Sequence, residues 1–456
     1  MLIDIAPKTK EAYKLMHDGI LALSDIELNG IRIDIDYCKR QQKHLDRKIK
    51  RLQNKISNSK EMKEWRRIYR AKTNPDSNPQ LADMLFNHFG LEPVAKTAKG
   101  KPAVDKASLE QLDFPLVKQI LDVRKYKKAR DTYIANLIRE SVDGYMHPFF
   151  NLDKVRTFRS SSSAINFQNQ PNRDPEIKKI IRSAFLPRNR HRLGGVDYGG
   201  IEVKIAATYH KDPVMLDYIH DPASDMHRDV TKDCFAIPDP DLVSKDMRKS
   251  GKNKFTFPEF YGDYFGNCAR GLWSDAHGSS PILALTDQTP LPQHLKNIGL
   301  DTYEKFEEHI KEVERIFWED RFTVYGQWKK DWLSKYNKCG YINLHTGFVC
   351  QGLMQKNDVI NYPVQGAAFH CLLWSLIQIH NWLTKNKMRS LVVGQIHDEI
   401  VLDIHSDEFD DVMSYVKQVM TLDIREHWKW INVPLEVDAD FCNVGETWYD
   451  KHSVVM

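Results

Sequence analysis

Ten residues, Gly394-Gln-Ile-His-Asp-Glu-Ile-Val-Leu-Asp403, set two acids, Asp398 and Glu399, between two apolar β-branched runs, 390–396 and 400–404. Each run has strand length, so the acids fall in the tight turn of a hairpin. Carboxylates crowded at such a tip repel each other unless a cation lies between them. A further acid, Asp197, ends the short run Leu193-Gly-Gly-Val-Asp197. If the fold brings Asp197 beside Asp398, the pair supplies hard oxygen ligands for two Mg²⁺ ions, the arrangement used for phosphoryl or nucleotidyl transfer.

Other groups point the same way, each with a plainer alternative. Asp197-Tyr-Gly-Gly-Ile-Glu202 closes a strand and opens a helix. It reads equally as a tight turn with an N-cap or as a metal-binding acid with the Tyr198 carbonyl beside it and Glu202 facing the same cleft. Arg248 and Lys252 are spaced i, i+4, and Phe257 and Tyr261 repeat that spacing one residue out of phase. Cations beside rings suit a nucleotide, whose phosphates and base they would take; an amphipathic helix with aromatics in the core has the same pattern. The polar run 157–171, with Arg159, Asn166, Gln168 and Asn169, is either a surface loop or a row of donors for a sugar-phosphate backbone.

The elements that must position these residues follow from composition and periodicity. The chain has 456 residues, is 41% hydrophobic and 28% charged, and carries a formal charge of +4. It is long enough for two or three subdomains with more than one core. Seven cysteines without Cys-x-x-Cys spacing argue against a disulfide framework or a zinc site. No signal-peptide pattern opens the chain, and no apolar run reaches the ~18 residues of a membrane span. A cytoplasmic protein without membrane contact is expected. Lys and Arg crowd residues 39–70, as a solvated helix face or a phosphate-tracking surface. Residues 8–28 are predicted helical up to Asn29-Gly30, and 35–70 as one basic helix or two in tandem. A Gly/Pro/Ser-rich interruption is expected at 274–292. The sketch is a helical N-terminal arm, an α/β catalytic body, and a helical subdomain inserted within that body.

Taken together, these segments resemble the family A DNA polymerases, the DNA polymerase I type, and more narrowly phage enzymes. Asp197-Tyr-x-x-Ile-Glu202 is similar to motif A, Arg248 through Tyr261-Gly262 to motif B, and His397-Asp398-Glu399 to motif C. Thr157-x-Arg159-x-Ser161 with Asn166-x-Gln168-Asn169-x-Pro171 resembles the template- and primer-contacting segment. Asn361-Tyr-Pro-Val-Gln365-Gly366 resembles the stretch that opens a palm helix, and Glu27-x-Asn29-Gly30 with Asn78-Pro-Gln80-Leu81 the thumb. The motifs stand in the family's order across nearly the whole chain.

The resemblance implies an α/β (α+β) right-hand polymerase fold with helical thumb, antiparallel-sheet palm and helical fingers. It implies a thumb with a palm-associated helix over 1–142, palm over 143–237 and 343–456, and fingers over 238–342. It further implies template-directed, primer-dependent DNA synthesis from dNTPs, with primer-template DNA and dNTPs as partners and two Mg²⁺ ions as cofactors. Asp197, Asp398 and the Tyr198 carbonyl would bind metal. Lys252 would be the general acid, Glu399 a lesser acid, and Arg248, Lys252, Phe257, Tyr261, Glu202 and Tyr198 would hold the dNTP, Glu202 against a ribose 2′-hydroxyl. Arg159, Asn166, Gln168, Asn169, Asn361, Gln365 and His397 would contact DNA.

Three departures stand out. Motif B carries one residue too many, which a π-bulge absorbs if Arg248 and Lys252 are the active pair; without it Lys249 and Asn253 take their places. Gly199-Gly200 replaces the usual polar pair of motif A. Residues 274–301 look like extra material in the fingers. Asp25-Ile-Glu27 matches a 3′–5′ exonuclease string, yet it lies on a helix with 24 residues before it and reads as surface charge. No exonuclease domain is expected; such an activity or a processivity factor would come from another chain, or this chain is a fragment. The rivals are a single-subunit RNA polymerase, which typically lacks the acids at Glu202 and Glu399, and a non-catalytic nucleic-acid clamp.

Overall fold

The computed structural model describes residues 4–97, 99–278 and 283–456. At its centre is a five-stranded antiparallel sheet. Its strands, in spatial order, are Leu391–Ile396, Glu399–His405, His191–Tyr198, Val437–Phe441 and His452–Val454. The two apolar runs thus form the predicted hairpin, and the strand ending in Asp197 lies directly beside it. Helix Lys356–Lys385 covers the sheet, its apolar residues buried nearly all round. Helix Lys10–Asn29 packs on it so closely that a Cβ at Gly19 would stand 3.0 Å from Leu373. Among the described residues no helix is long and apolar enough to cross a membrane.

The helical arm begins where strand Ile31–Ile33 pairs with Tyr145–Met146 on one side and Phe185–Leu186 on the other. The basic stretch 35–70 is two helices in tandem, Ile35–Ser57 and Lys60–Tyr69, broken where Ser59 caps the second by accepting from Met62 N–H at 3.1 Å. Lys39, Arg40, Lys43, Arg47, Lys50 and Arg51 all face solvent on the first of them. Farther out the arm has a hydrophobic cluster of its own, from Ile56 and Trp65 through Leu85 and Leu109 to Val123, distinct from the main core.

The inserted subdomain is helical, and its interior is a nest of rings: Phe255, Phe260, Phe317, Phe322 and Tyr325. The interruption expected at 274–292 is shorter than its composition suggests. Helix Phe265–His277 runs through Ser274, and helix Leu291–Asn297 starts inside the expected gap; residues 279–282 lie outside the described ones. Asp25 is surface charge as expected, while Glu27 is half-buried. The Glu27 carboxylate accepts from Phe150 N–H at 2.7 Å, and Asp25 meets His380 at 3.1 Å, so both tie the first helix to its neighbours.

Candidate active site

Strand register brings the acids together. Asp197 stands opposite Glu399 on one side and opposite Asp438 on the other, and the Tyr198 N–H donates to the Asp398 carbonyl at 3.3 Å. Ile396 pairs with Glu399, which leaves His397 and Asp398 as a two-residue hairpin loop with His397 at φ +54°. A positive φ suits the tight hairpin turn and aims Asp398 off the sheet edge. Burial, then Asp398, Glu399 and Asp438, push the Asp197 carboxyl up to about 7. Burial likewise raises Asp398. Two acids with mutual repulsion and a shortage of water suit a divalent cation. Among the described residues no group of three or more His, Cys, Asp or Glu side chains forms a complete metal cage. Such a pair fits Mg²⁺ in particular, which takes one or two carboxylates and completes its shell with water and substrate phosphates.

Glu399 has a partner of its own. Its carboxylate accepts from Lys451 Nζ at 2.7 Å and leans over Gly195, where a Cβ would lie 1.9 Å from Oε1. Only glycine at 195 leaves it that place. Tyr198 is buried to 2% with its hydroxyl 2.9 Å from Ser375 Oγ, so its side chain contributes nothing to a nucleotide pocket and only its backbone remains for the expected role.

The long helix facing the acids is broken in its middle. Lys245–Gly251 is α-helical, Lys252–Thr256 is a π turn in which Phe257 N–H reaches back to the Lys252 carbonyl, and Phe257–Phe260 is α-helical again. The extra residue is taken up there, just ahead of Pro258, whose ring needs the widened turn. Lys252 and Phe257 then share a face, the ammonium 5.0 Å from the ring centroid. Lys249 and Asn253 point to solvent. Arg248 Nε donates to Asp225 at 2.6 Å. Burial and the nearby Arg248 lower the Lys252 ammonium. Tyr261 closes the helix, and Gly262 follows at φ +90°, where a Cβ would press to 2.6 Å on Asn357.

Glu202 is gripped from two sides: one carboxylate oxygen pairs with the Arg159 guanidinium and the other accepts from the Tyr261 hydroxyl. Asn361 donates to the Tyr261 carbonyl at 3.1 Å. Arg159 is presented by Phe158, buried at φ +63° against the glycine notch of Gly366. Gln168 donates to Ser160 at 2.8 Å and to Gln395 at 2.7 Å, and Gln395 donates on to the His397 carbonyl. Gln168 therefore braces the acidic hairpin. Asn166 accepts from Asn169 N–H at 3.1 Å and shapes that turn. Gln365 is half-buried one turn beyond Asn361.

Sequence reasoning overlooked several residues here. Gln395 lay within the motif and read only as part of a strand. Lys451 and Asp225 lie far from any motif. His227 stacks edge-on with Phe257 at 5.4 Å and keeps a buried Nδ1 without a hydrogen-bond partner among the described residues. Burial, then Lys252 and Arg248, push its imidazole down to about 4. A lone histidine at the start of a helix carries no signal in sequence.

A central antiparallel sheet with paired acids at a hairpin tip, a basic helix opposite and a helical arm at the side defines a right-hand fold built on an antiparallel palm. The family model described as DNA polymerase family A matches residues 35–450, and the chain belongs to that family. It is 26% identical to the DNA polymerase of Bacillus phage SP01 over 89% of this chain and 47% of that protein. It is 28% identical to DNA polymerase I of Pseudomonas aeruginosa over 94% of this chain and 43% of that one, and 30% identical to DNA polymerase I of Lactococcus lactis over 83% and 40%. The chain thus spans less than half the length of these relatives. A solved structure described as the POL domain of Pol1 from M. smegmatis in complex with DNA primer-template and dNTP superposes with a TM-score of 0.73. That match has 22% identity and covers 95% of this chain and 70% of that one. The fold is the right-hand polymerase fold of helical thumb, antiparallel-sheet palm and helical fingers.

Proposed function

We propose that this chain extends a DNA primer along a template, joining dNTPs by nucleotidyl transfer at Asp197 and Asp398. The observation that carries the reading is the strand register that sets these two acids side by side with Glu399 behind them. In the reaction the primer 3′-hydroxyl gives up its proton to solvent water, its oxygen bonds to the α-phosphorus, and the bond from that phosphorus to the oxygen bridging to the β-phosphate breaks, releasing pyrophosphate. Asp197, Asp398 and the Tyr198 carbonyl would hold two Mg²⁺ ions. Bound Mg²⁺ makes the 3′-hydroxyl more acidic and offsets triphosphate charge.

The protein's own groups do the rest. Arg248, Lys252 and His227 line the path of the triphosphate, and Lys252, its ammonium lowered by burial, is suited to give a proton to the leaving pyrophosphate. Phe257 and Tyr261 pack on the base and sugar. Glu202, fixed by Arg159 and Tyr261, fills the space a ribose 2′-hydroxyl would need, which favours dNTPs over rNTPs. Glu399, neutralised by Lys451, is a lesser acid that shapes the floor beside the primer end. Gln168, Asn166, Asn169, His397, Asn361, Gln365 and Arg159 border the groove where primer and template would lie. On this reading 1–142 is thumb plus a palm-associated helix, 143–237 and 343–456 are palm, and 238–342 are fingers.

Primer extension with Mg²⁺, dNTPs and a primed template, run beside Asp398→Ala, tests the proposal. The unsubstituted protein should extend with dNTPs in preference to rNTPs. Asp398→Ala should lose at least about a thousandfold in rate while duplex affinity stays within about threefold, because removing a metal ligand removes transition-state stabilisation and not the groove. Equal use of rNTPs would favour an RNA-polymerizing enzyme instead, and equal loss of duplex binding would assign Asp398 to folding.

A further inference from the structure

Behind the helix that carries Phe257 and Tyr261, on the side away from the acids, lies a polar node that the chemistry above does not use. Glu259 is 1% exposed, two residues before Tyr261 and one after Pro258. Its carboxylate accepts from Trp318 Nε1 at 2.8 Å and from Cys268 Sγ at 3.4 Å. Its backbone carbonyl accepts from Lys329 Nζ at 2.6 Å and from Gly262 N–H at 3.2 Å. The same ammonium lies 3.7 Å from the centroid of the Trp318 ring. One residue at the end of this helix is therefore held through its side chain by two elements, those of Trp318 and Cys268, and through its main chain by a third, and Trp318 and Lys329 brace each other.

A buried carboxyl in a subdomain otherwise filled with rings is costly unless each lone pair finds a donor. Burial raises Glu259 and lowers Lys329, so each group has given up part of its preference for charge in order to be there. A leucine at 259 would remove the buried carboxyl but leave Trp318 Nε1 and Cys268 Sγ without their acceptor, so the acid is matched to its donors. The node does one thing that apolar packing cannot: it fixes the last turn of the helix against rotation and sliding. The lysine sits at the C-terminal carbonyls, where a cation meets the negative end of the helix. Beyond Phe260 come Tyr261, whose hydroxyl reaches Glu202, and Gly262, where the chain turns away.

We infer that Glu259, Trp318 and Lys329 form a latch of positioning residues that holds Tyr261 over Glu202, so that dNTP affinity and the rejection of ribonucleotides depend on groups that never touch the nucleotide. The inference rests on the polymerase reading above and extends it from the nucleotide-facing side of the helix to its back. A small displacement of Tyr261 loosens its contact with the base and sugar and leaves the acids in place, so the loss falls on dNTP binding and sugar selection and not on the chemical step.

The test compares Lys329→Met, Trp318→Phe, Glu259→Leu and Glu259→Gln in steady-state primer extension with dNTPs and rNTPs, alongside duplex affinity. Lys329→Met, Trp318→Phe and Glu259→Leu should raise KM for dNTP by about tenfold and raise ribonucleotide incorporation, with kcat within about threefold and duplex affinity unchanged. Glu259→Gln, which still offers Trp318 an acceptor, should restore most of the KM and selectivity lost in Glu259→Leu. Folded variants with unsubstituted KM and sugar selectivity overturn the latch. If Lys329→Met or Glu259→Leu does not fold, Trp318→Phe decides by the same two numbers. Hydrogen exchange over residues 257–263 of the free protein is read in parallel: faster exchange in Lys329→Met or, failing that, Trp318→Phe supports the latch, and unchanged exchange overturns it. An unsubstituted protein that extends no primer overturns the polymerase reading alone, and the exchange measurement still decides the latch.

Discussion

Asp197 keeps its proton to about pH 7 because burial and three neighbouring carboxylates oppose its ionisation. In the unfolded chain the same group ionises near the ordinary aspartate value of about 3.9. Between those values the folded state binds more protons than the unfolded one, so the metal-free protein should lose stability as pH rises from about 4 to about 7. Metal needs the ionised pair. Mg²⁺ binding should therefore release a proton and tighten as pH rises from about 6 to about 8, then level off. Titration calorimetry in two buffers of different ionisation heat measures the release; an affinity flat across that range with no proton released would place the metal elsewhere. The acids themselves were visible in the sequence because of their position between apolar runs. His227 and Lys451 were not, because their partners arrive from distant parts of the chain.

At the scale of elements, the fingers helix shows how a sequence irregularity becomes geometry. Five residues separate Lys252 from Phe257, where four would make about one α-helical turn. The π turn also makes one turn, but with one residue more, so the cationic and aromatic pairs stay on one face. Deleting Asn253 together with Pro258→Ala should let the segment revert to an α-helix with that face intact, and primer extension should remain within about tenfold. Inserting one alanine after Asn253 should rotate the rings by about 100° from the cations and abolish extension. If both variants retain activity, phase along this helix does not matter. The hairpin, by contrast, follows directly from local pattern, since two continuously apolar runs, buried along nearly their whole length, are joined by a two-residue turn.

Among the described residues there are two hydrophobic clusters, and the smaller lies entirely within the helical arm, between Ile56 and Val123. Trp65 sits at its centre, fully buried, with Nε1 donating to Gln80 at 3.1 Å. Trp65→Ala should cost about 3–5 kcal/mol locally. Because this cluster is separate, the loss should melt the helical arm at a lower temperature and, on the proposed function, weaken duplex binding by about tenfold or more, with Mg²⁺ binding at Asp197 and Asp398 preserved. Scanning calorimetry and equilibrium DNA binding check this together. Unchanged duplex affinity would remove the arm from the DNA interface and leave its exposed lysines and arginines as a solvated face.

Apolar runs, local periodicity and motif chemistry in the sequence were enough to place the hairpin, the strand before it, the helical arm and the basic-aromatic helix, since each element's burial is written in its own residues. The sequence also held the irregular spacing in motif B and the acids as candidates. Tertiary structure alone decided that Asp197 stands between Glu399 and Asp438, that Lys451 neutralises one acid, and that Glu259 is buried where the pattern alone would leave it at a surface. Those outcomes depend on contacts between residues far apart along the chain, and one-dimensional spacing carries no information about which distant charge will arrive beside another.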